Sequence, residues 1–330
     1  MKKEMYQGKE IERFTLTNAN DTRVTILSLG GIIQEYSIMH NGQRENLVVN
    51  FDNAQGYVDN PYQICKQIGR IAGRIKDARF ELDGQEVQVP ANENHNSLHG
   101  GDRGVSTQVF DGYQVSTNEV TLSLNLDPTV DGFPGSLTLM INYILHDNDR
   151  LDVTYDITAQ SATVYDPTIH IYWALPQGLK NVDVQINGDQ RQEVDAEKIP
   201  TGKLLANKGT AFDFSKPRDL AEAVETLRKE ENQKGFDNGY AVEPSMTSPV
   251  VEINKKDQKV KIKVFSDRNG LVIFTADPQN GENDRQGIFD SLATEVQTLP
   301  DALHHDEFGN VRLAAGEHKQ IKIAYQVEGY

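Results

Sequence analysis

Ser136-Leu-Thr-Leu-Met-Ile-Asn-Tyr143 and Leu151-Asp-Val-Thr-Tyr-Asp-Ile157, with the turn signal Asn148-Asp149 between them, decide the fold class. Apolar and polar residues alternate in both stretches. That period of two marks half-buried antiparallel strands, with one face on a core and the other in water. The pattern continues outward in both directions. Upstream it runs through Arg23-Val-Thr-Ile-Leu-Ser-Leu29, which leads into Gly30-Gly31, and through Val120-Thr-Leu-Ser-Leu-Asn-Leu126. Downstream it returns in Val250-Val-Glu-Ile253, Val260-Lys-Ile-Lys-Val264, Gly270-Leu-Val-Ile-Phe-Thr275 and Gln320-Ile-Lys-Ile-Ala-Tyr325. Asp83-Gly84 and Asn187-Gly188 supply further turns.

Helical patterning is confined to residues 219–231. There Leu220, Ala223, Val224 and Leu227 share one face and charges occupy the other. Asp219 suits an N-cap and Gly235 a stop beyond the last turn. No Pro/Ser/Gly linker, low-complexity stretch or short repeat divides the chain. The expected architecture is therefore all-β: one large antiparallel domain over residues 1–330, with one or two small peripheral helices. A length of 330 residues would suggest two domains at ~150 residues each, but large sandwiches often run to ~250 residues as one.

A chain of this size buries enough surface to need no metal or disulfide staple. Cys65 is its one cysteine, so an intrachain disulfide is impossible. Its setting, Tyr62-Gln-Ile-Cys-Lys66, reads as a small half-buried residue rather than a nucleophile. The net charge of −16 argues against a nucleic-acid partner and suits a neutral small molecule. No window nears the ~20 apolar residues of a membrane helix. The basic start of the chain has no apolar run behind it, so no secretory signal is expected and a cytoplasmic location is.

Several titratable residues stand in distinctive settings. His99 lies in Asn94-His-Asn-Ser-Leu-His-Gly-Gly101, where the glycine pair permits a tight turn and leaves space beside the imidazole. Zinc binding by His95 and His99 would need a helix, which Pro90 and the surrounding Asn and Gly residues disfavour. In Pro167-Thr-Ile-His-Ile-Tyr-Trp-Ala-Leu175, strand geometry sets His170, Tyr172 and Ala174 on one face and Ile171 and Trp173 on the other. Glu295 shares a face with Ala293 and Gln297, where a carboxylate is ordinarily solvated. Arg74 closes Gly69-Arg-Ile-Ala-Gly-Arg-Ile75, four residues after Arg70; its donor fork suits sugar hydroxyls. That stretch is not a phosphate loop, since no Gly-Lys-Ser/Thr follows. Asp237, in Gly235-Phe-Asp-Asn-Gly-Tyr240, reads as a turn residue, and 304–307 (His-His-Asp-Glu) as a solvated loop rather than a metal site.

These signals are weak singly and specific in series. Gly69–Ile75, Asn96-Ser-Leu-His-Gly-Gly101, Asp131-Gly-Phe-Pro-Gly135, Thr168-Ile-His-Ile-Tyr172 and Ile199-Pro-Thr-Gly202 come first. Gly209-Thr-Ala-Phe-Asp-Phe214, Gly235-Phe-Asp237, Glu295-Val-Gln297 with Pro300-Asp301, and Leu313-Ala-Ala-Gly-Glu317 follow. In this order the chain resembles the aldose 1-epimerase (galactose mutarotase) family along nearly its whole length. The resemblance implies a β-supersandwich of packed antiparallel sheets and an isomerase acting on a free sugar. It implies Glu295 as general base, His170 as general acid, and Arg74, His99 and Asp237 as sugar-binding residues.

The implied chemistry explains the residue types. A hemiacetal opens when a base takes the C1 hydroxyl proton while an acid protonates the ring oxygen. The aldehyde then turns about C1–C2 and recloses from its other face. Imidazole carries protons both ways near neutrality, and a carboxylate of reference pKa ~4.3 is a base at pH 7. No metal, nucleotide or covalent intermediate is required, so no cofactor is expected.

Some positions depart from the family pattern. Gly73 stands where relatives often have Asn, Trp173 and Ala174 replace Phe and Asn, Val272 replaces Gln, and Asn238 replaces His. The resemblance thus fixes the reaction and leaves the sugar open, whether a hexose or the reducing end of a disaccharide. Two other readings are a non-catalytic carbohydrate-binding protein of the same fold and a glycoside hydrolase. The first has no use for both His170 and Glu295. The second normally needs two carboxylates flanking the bond.

Overall fold

The computed structural model describes residues 3–330. Met1 and Lys2, part of the N-terminal run read for a leader, lie outside the described residues. The strands form a nine-stranded and a six-stranded sheet, a four-stranded sheet near the N-terminus, and several two-stranded ribbons.

The opening stretches form the hairpin Leu137–Leu145 and Arg150–Ala159, in the middle of the nine-stranded sheet. Their register sets Leu139 against Ile157, Ile141 against Tyr155 and Tyr143 against Val153. These residues are fully buried, as the period of two requires. The sheet continues through His318–Glu328, Val260–Ser266, Val251–Lys255 and Val182–Ile186. The six-stranded sheet runs in the order Ile171–Ala174, Ser291–Gln297, Gly270–Ala276, Asp237–Ala241, Gln190–Val194 and Pro200–Ala206.

One apolar cluster joins these sheets. Trp173 packs edge-on against Tyr325 with ring centroids 5.6 Å apart, and its indole N–H donates to Thr294 Oγ1 at 3.0 Å. Ile171 and Trp173 thus face the core, while Tyr172 turns to the sheet's other face, as alternation dictates.

Helices are short and peripheral. The sequence leads one to expect one or two; there are four α-helices among the described residues, and only Leu220–Glu231 exceeds two turns. Asp219 caps it by accepting from the amides of Ala221 and Glu222. The stop is Asn232, which takes the left-handed conformation at φ 53°, and not Gly235. Asn tolerates that conformation. No described helix is long and apolar enough to cross a membrane.

Two motif segments serve this framework rather than the site. Arg70, fully buried, donates through Nε and Nη2 to Asp131 at 2.6 and 3.0 Å. Its Nη1 reaches the carbonyls of Pro134 and Gly135 and the hydroxyl of Thr163. The Gly69–Ile75 and Asp131–Gly135 stretches are therefore two halves of one buried, charge-assisted clamp. Cys65 is fully rather than half buried, its thiol pushed up to about 12 by burial. Its sulfur accepts from the Tyr172 amide at 3.5 Å, behind the cleft.

Candidate active site

One face of the six-stranded sheet floors a cavity of about 500 Å³, within the ~300–1,000 Å³ typical of small-molecule sites. Register lays out the floor. Val272 is the direct partner of Glu295, and Asp237 the partner of Phe274. Asp237 thus belongs to a strand and not to a turn. Loops carrying Tyr62, Asn92, His99, Lys198 and Pro300 wall the cavity.

His170 sits at the break between Thr168–Ile169 and Ile171–Ala174. Its backbone stays tied: the amide donates to Lys66 O at 3.0 Å and the carbonyl accepts from Cys65 N at 2.9 Å. The imidazole stacks on Tyr172 at 4.9 Å and meets the His99 ring edge-on at 5.4 Å. Nε2 lies 3.3 Å from Glu295 Oε1. Far from solvated, Glu295 is 3% exposed and His170 6%.

That burial changes the charges expected from reference values. Desolvation, aided by Asp237, pushes Glu295 up to about 8, against a smaller opposing pull from Arg74. Desolvation pushes His170 down to about 4. Both groups are driven toward neutrality, with their facing atoms 3.3 Å apart. Glu295 Oε2 and His170 Nδ1 have no hydrogen-bond partner among the described residues.

The other expected residues converge on this pair. His99 and Gly73 bind each other twice: His99 N donates to Gly73 O at 2.9 Å, and Gly73 N donates to His99 Nδ1 at 3.2 Å. Since Nδ1 accepts, the proton of the neutral ring is assigned to Nε2, leaving a donor. Burial, with His170 and Arg74 nearby, holds His99 well below the usual imidazole range. Gly100 beside it has φ +84°, and a Cβ there would fall 1.9 Å from Gly69 O, so the turn requires glycine.

Arg74 is held side-on by Glu93, with Nε–Oε2 2.5 Å and Nη2–Oε1 2.9 Å, which leaves Nη1 without that partner. Asp237 lies 3.8 Å from Lys198.

Glu93, Lys198 and Gln297 were not legible as site residues. Gln297 is fully buried in the cavity wall, and neither end of its amide has a partner among the described residues. Its position two residues after Glu295 was the available signal, because side chains two apart share a strand face. Of the departures, Gly73 and Val272 line the cavity. Asn238 instead accepts from the Asp237 amide at 3.1 Å, and Ala174 pairs with Ser291.

Metal-ligand chemistry has one possible seat among the described residues: His99, His170 and Glu295, each with a donor atom within 4.8 Å of the others. The 304–307 segment is not such a group. His304 instead binds buried Asp301 at 2.7 Å, which raises the imidazole's pKa, while the segment is mostly exposed, as expected of a solvated loop.

Fold and site together define an isomerase of the aldose 1-epimerase family: that family's model matches residues 12–326, and the chain belongs to it. Among its relatives, a maltose epimerase of Levilactobacillus brevis is 38% identical, over 96% of this chain and 95% of its own. An aldose 1-epimerase of Streptococcus thermophilus is 33% identical, over 96% and 94%. A galactose 1-epimerase structure from Lactobacillus acidophilus superposes with a TM-score of 0.86 at 23% identity, covering 100% of this chain and 98% of that one. The last likeness speaks for the fold.

Proposed function

We propose that the protein is a mutarotase that interconverts the α and β anomers of a free aldose, a hexose or the reducing end of a disaccharide, with Glu295 as general base and His170 as general acid. One observation carries this reading: the buried contact of His170 Nε2 with Glu295 Oε1 at 3.3 Å on the floor of the cavity. A pair sharing one proton has a form with a carboxylate and an imidazolium at unchanged net charge. The Arg74 cation, which pulls Glu295 downward, and a hydroxyl donated to Glu295 Oε2 favour that form. Glu295 then takes the C1 proton while His170 gives its own to the ring oxygen, and reclosure runs both transfers backwards. Each positioned acid or base typically contributes ~10²–10⁴-fold.

Arg74, His99 and Asp237 orient the hydroxyls, and Gln297 adds a free amide to the same wall. With Glu295 neutral, Arg74 and Lys198 offset Asp102 and Asp237 around the cavity, which suits a neutral sugar. We propose further that the chain works as one domain, since a single apolar cluster reaches from Ile11 to Val327.

Polarimetry of freshly dissolved α-D-glucose, α-D-galactose and maltose tests the reading. The purified protein speeds equilibration of at least one; no acceleration of any overturns it. Glu295→Gln removes most of the acceleration while sugar binding persists, and unchanged turnover in that variant overturns the base.

A further inference from the structure

The cavity lining is chemically mixed. It includes polar and aliphatic groups, Gln192, Lys198 and Pro200 among them, and the rings of Tyr62 and Phe274. Phe274 follows Val272 by two residues on one strand, so it shares the face and stands roughly 7 Å further along. Because Val272 is the direct partner of Glu295, the aromatic row begins about one pyranose ring from the base.

Tyr62 extends that row. Its ring lies nearly parallel to that of Phe274, at 6.3 Å and 15°, and Phe274 meets Tyr172 edge-on at 6.4 Å. Three bonds fix Tyr62 in place. Its hydroxyl donates to Asp284 Oδ2 at 3.0 Å, its amide to Asn60 Oδ1 at 2.9 Å, and its carbonyl accepts from the Tyr172 hydroxyl at 2.9 Å. An aromatic plate locked this way before any ligand arrives loses little entropy on binding. Proton transfer at C1 has no use for it.

Resting on the acid–base reading above, we propose that Tyr62 and Phe274 form a second glycosyl subsite, which takes the non-reacting unit of a 4-linked disaccharide. The carbon bearing a 4-linkage lies across the ring from C1. With C1 at Glu295, the attached unit falls one ring away, over the aromatic row, where a pyranose can lay its C–H face on the rings. Gly73 supports this by subtraction: a Cβ there would press to 3.3 Å from Pro300 Cβ, so its absence leaves the reacting ring more room.

The test compares initial rates of mutarotation on maltose and on glucose for the wild type, Tyr62→Ala and Tyr62→Phe, with thermal melts to confirm folding. Tyr62→Ala raises KM for maltose by about tenfold and leaves glucose kinetics within about twofold. Tyr62→Phe, which keeps the ring and loses the bond to Asp284, retains most of the maltose preference. Equal losses on both sugars, or an unchanged maltose KM, overturn the subsite. Wild-type activity on glucose and none on maltose also overturns it, while sparing the acid–base reading. If neither sugar is turned over, that reading fails and calorimetry decides the subsite. Tighter binding of maltose than glucose, lost in Tyr62→Ala, supports it, and equal binding refutes it.

Discussion

His170 Nε2 lies 3.3 Å from Glu295 Oε1, and both side chains are almost wholly removed from water. A proton on either atom leaves the pair's net charge unchanged, whereas a second proton or none leaves a buried charge. That asymmetry governs how activity depends on pH.

The profile of kcat/KM reports the free enzyme. Its acid limb reflects a second proton on the pair, near about 4, and its alkaline limb the loss of the shared one, near about 8. A plateau from about pH 5 to about pH 7 is expected for glucose, measured by polarimetry with the spontaneous rate subtracted. A profile that follows a single ordinary imidazole, rising through about 6.5, would contradict the shared-proton account.

Stability carries the same signature. Glu295 is held at about 8 in the folded protein against an ordinary 4.5. Between those values the folded chain keeps a proton the unfolded chain has released, so Glu295 subtracts stability progressively as pH rises through that window. Glutamine is neutral throughout. Glu295→Gln should therefore melt higher than the wild type at about pH 9, by up to a few kcal/mol of stability, and match it at about pH 4. Identical differences at both pH values would show that Glu295 is not held neutral.

Glu93 positions Arg74 through both oxygens. Glu93→Ala frees the guanidinium, so sugar affinity should fall in ground and transition states alike. KM is expected to rise about tenfold with kcat within about threefold, and Glu93→Gln, keeping one acceptor, should recover part of the loss. A fall in kcat at constant KM would mean that Glu93 acts on the proton transfers instead.

The framework was legible because alternation along a strand is a local property. Burial of Leu139, Ile141 and Tyr143 follows from it directly, and so do the opposite faces of Tyr172 and Trp173. The charges of the site were not. Glu295 reads as solvated on its own strand, and only the neighbouring strands and the loops above remove it from water. Asn232 replaced Gly235 as helix stop because either residue accepts φ above zero, so sequence alone ranks them wrongly. Glu93 and Tyr62 escaped notice for another reason: each acts through a partner distant in sequence, Arg74 in one case and Phe274 in the other.

Arg70 and Asp131 make the sharpest case, since no local pattern joins Arg70 to the aspartate 61 residues away against which the structure buries it. Arg70→Met would leave Asp131 buried with the Phe133 amide at 3.0 Å and without its counter-charge. It would also remove the donor to Pro134, Gly135 and Thr163. Breaking one partner of a buried pair costs about 3–5 kcal/mol, whereas replacing both with apolar residues of similar volume is often close to neutral. Urea denaturation should therefore find Arg70→Met strongly destabilised and Arg70→Met/Asp131→Leu less so than the sum of the two single changes. Strict additivity would mean that the two side chains stabilise the fold independently, and that no clamp joins their segments.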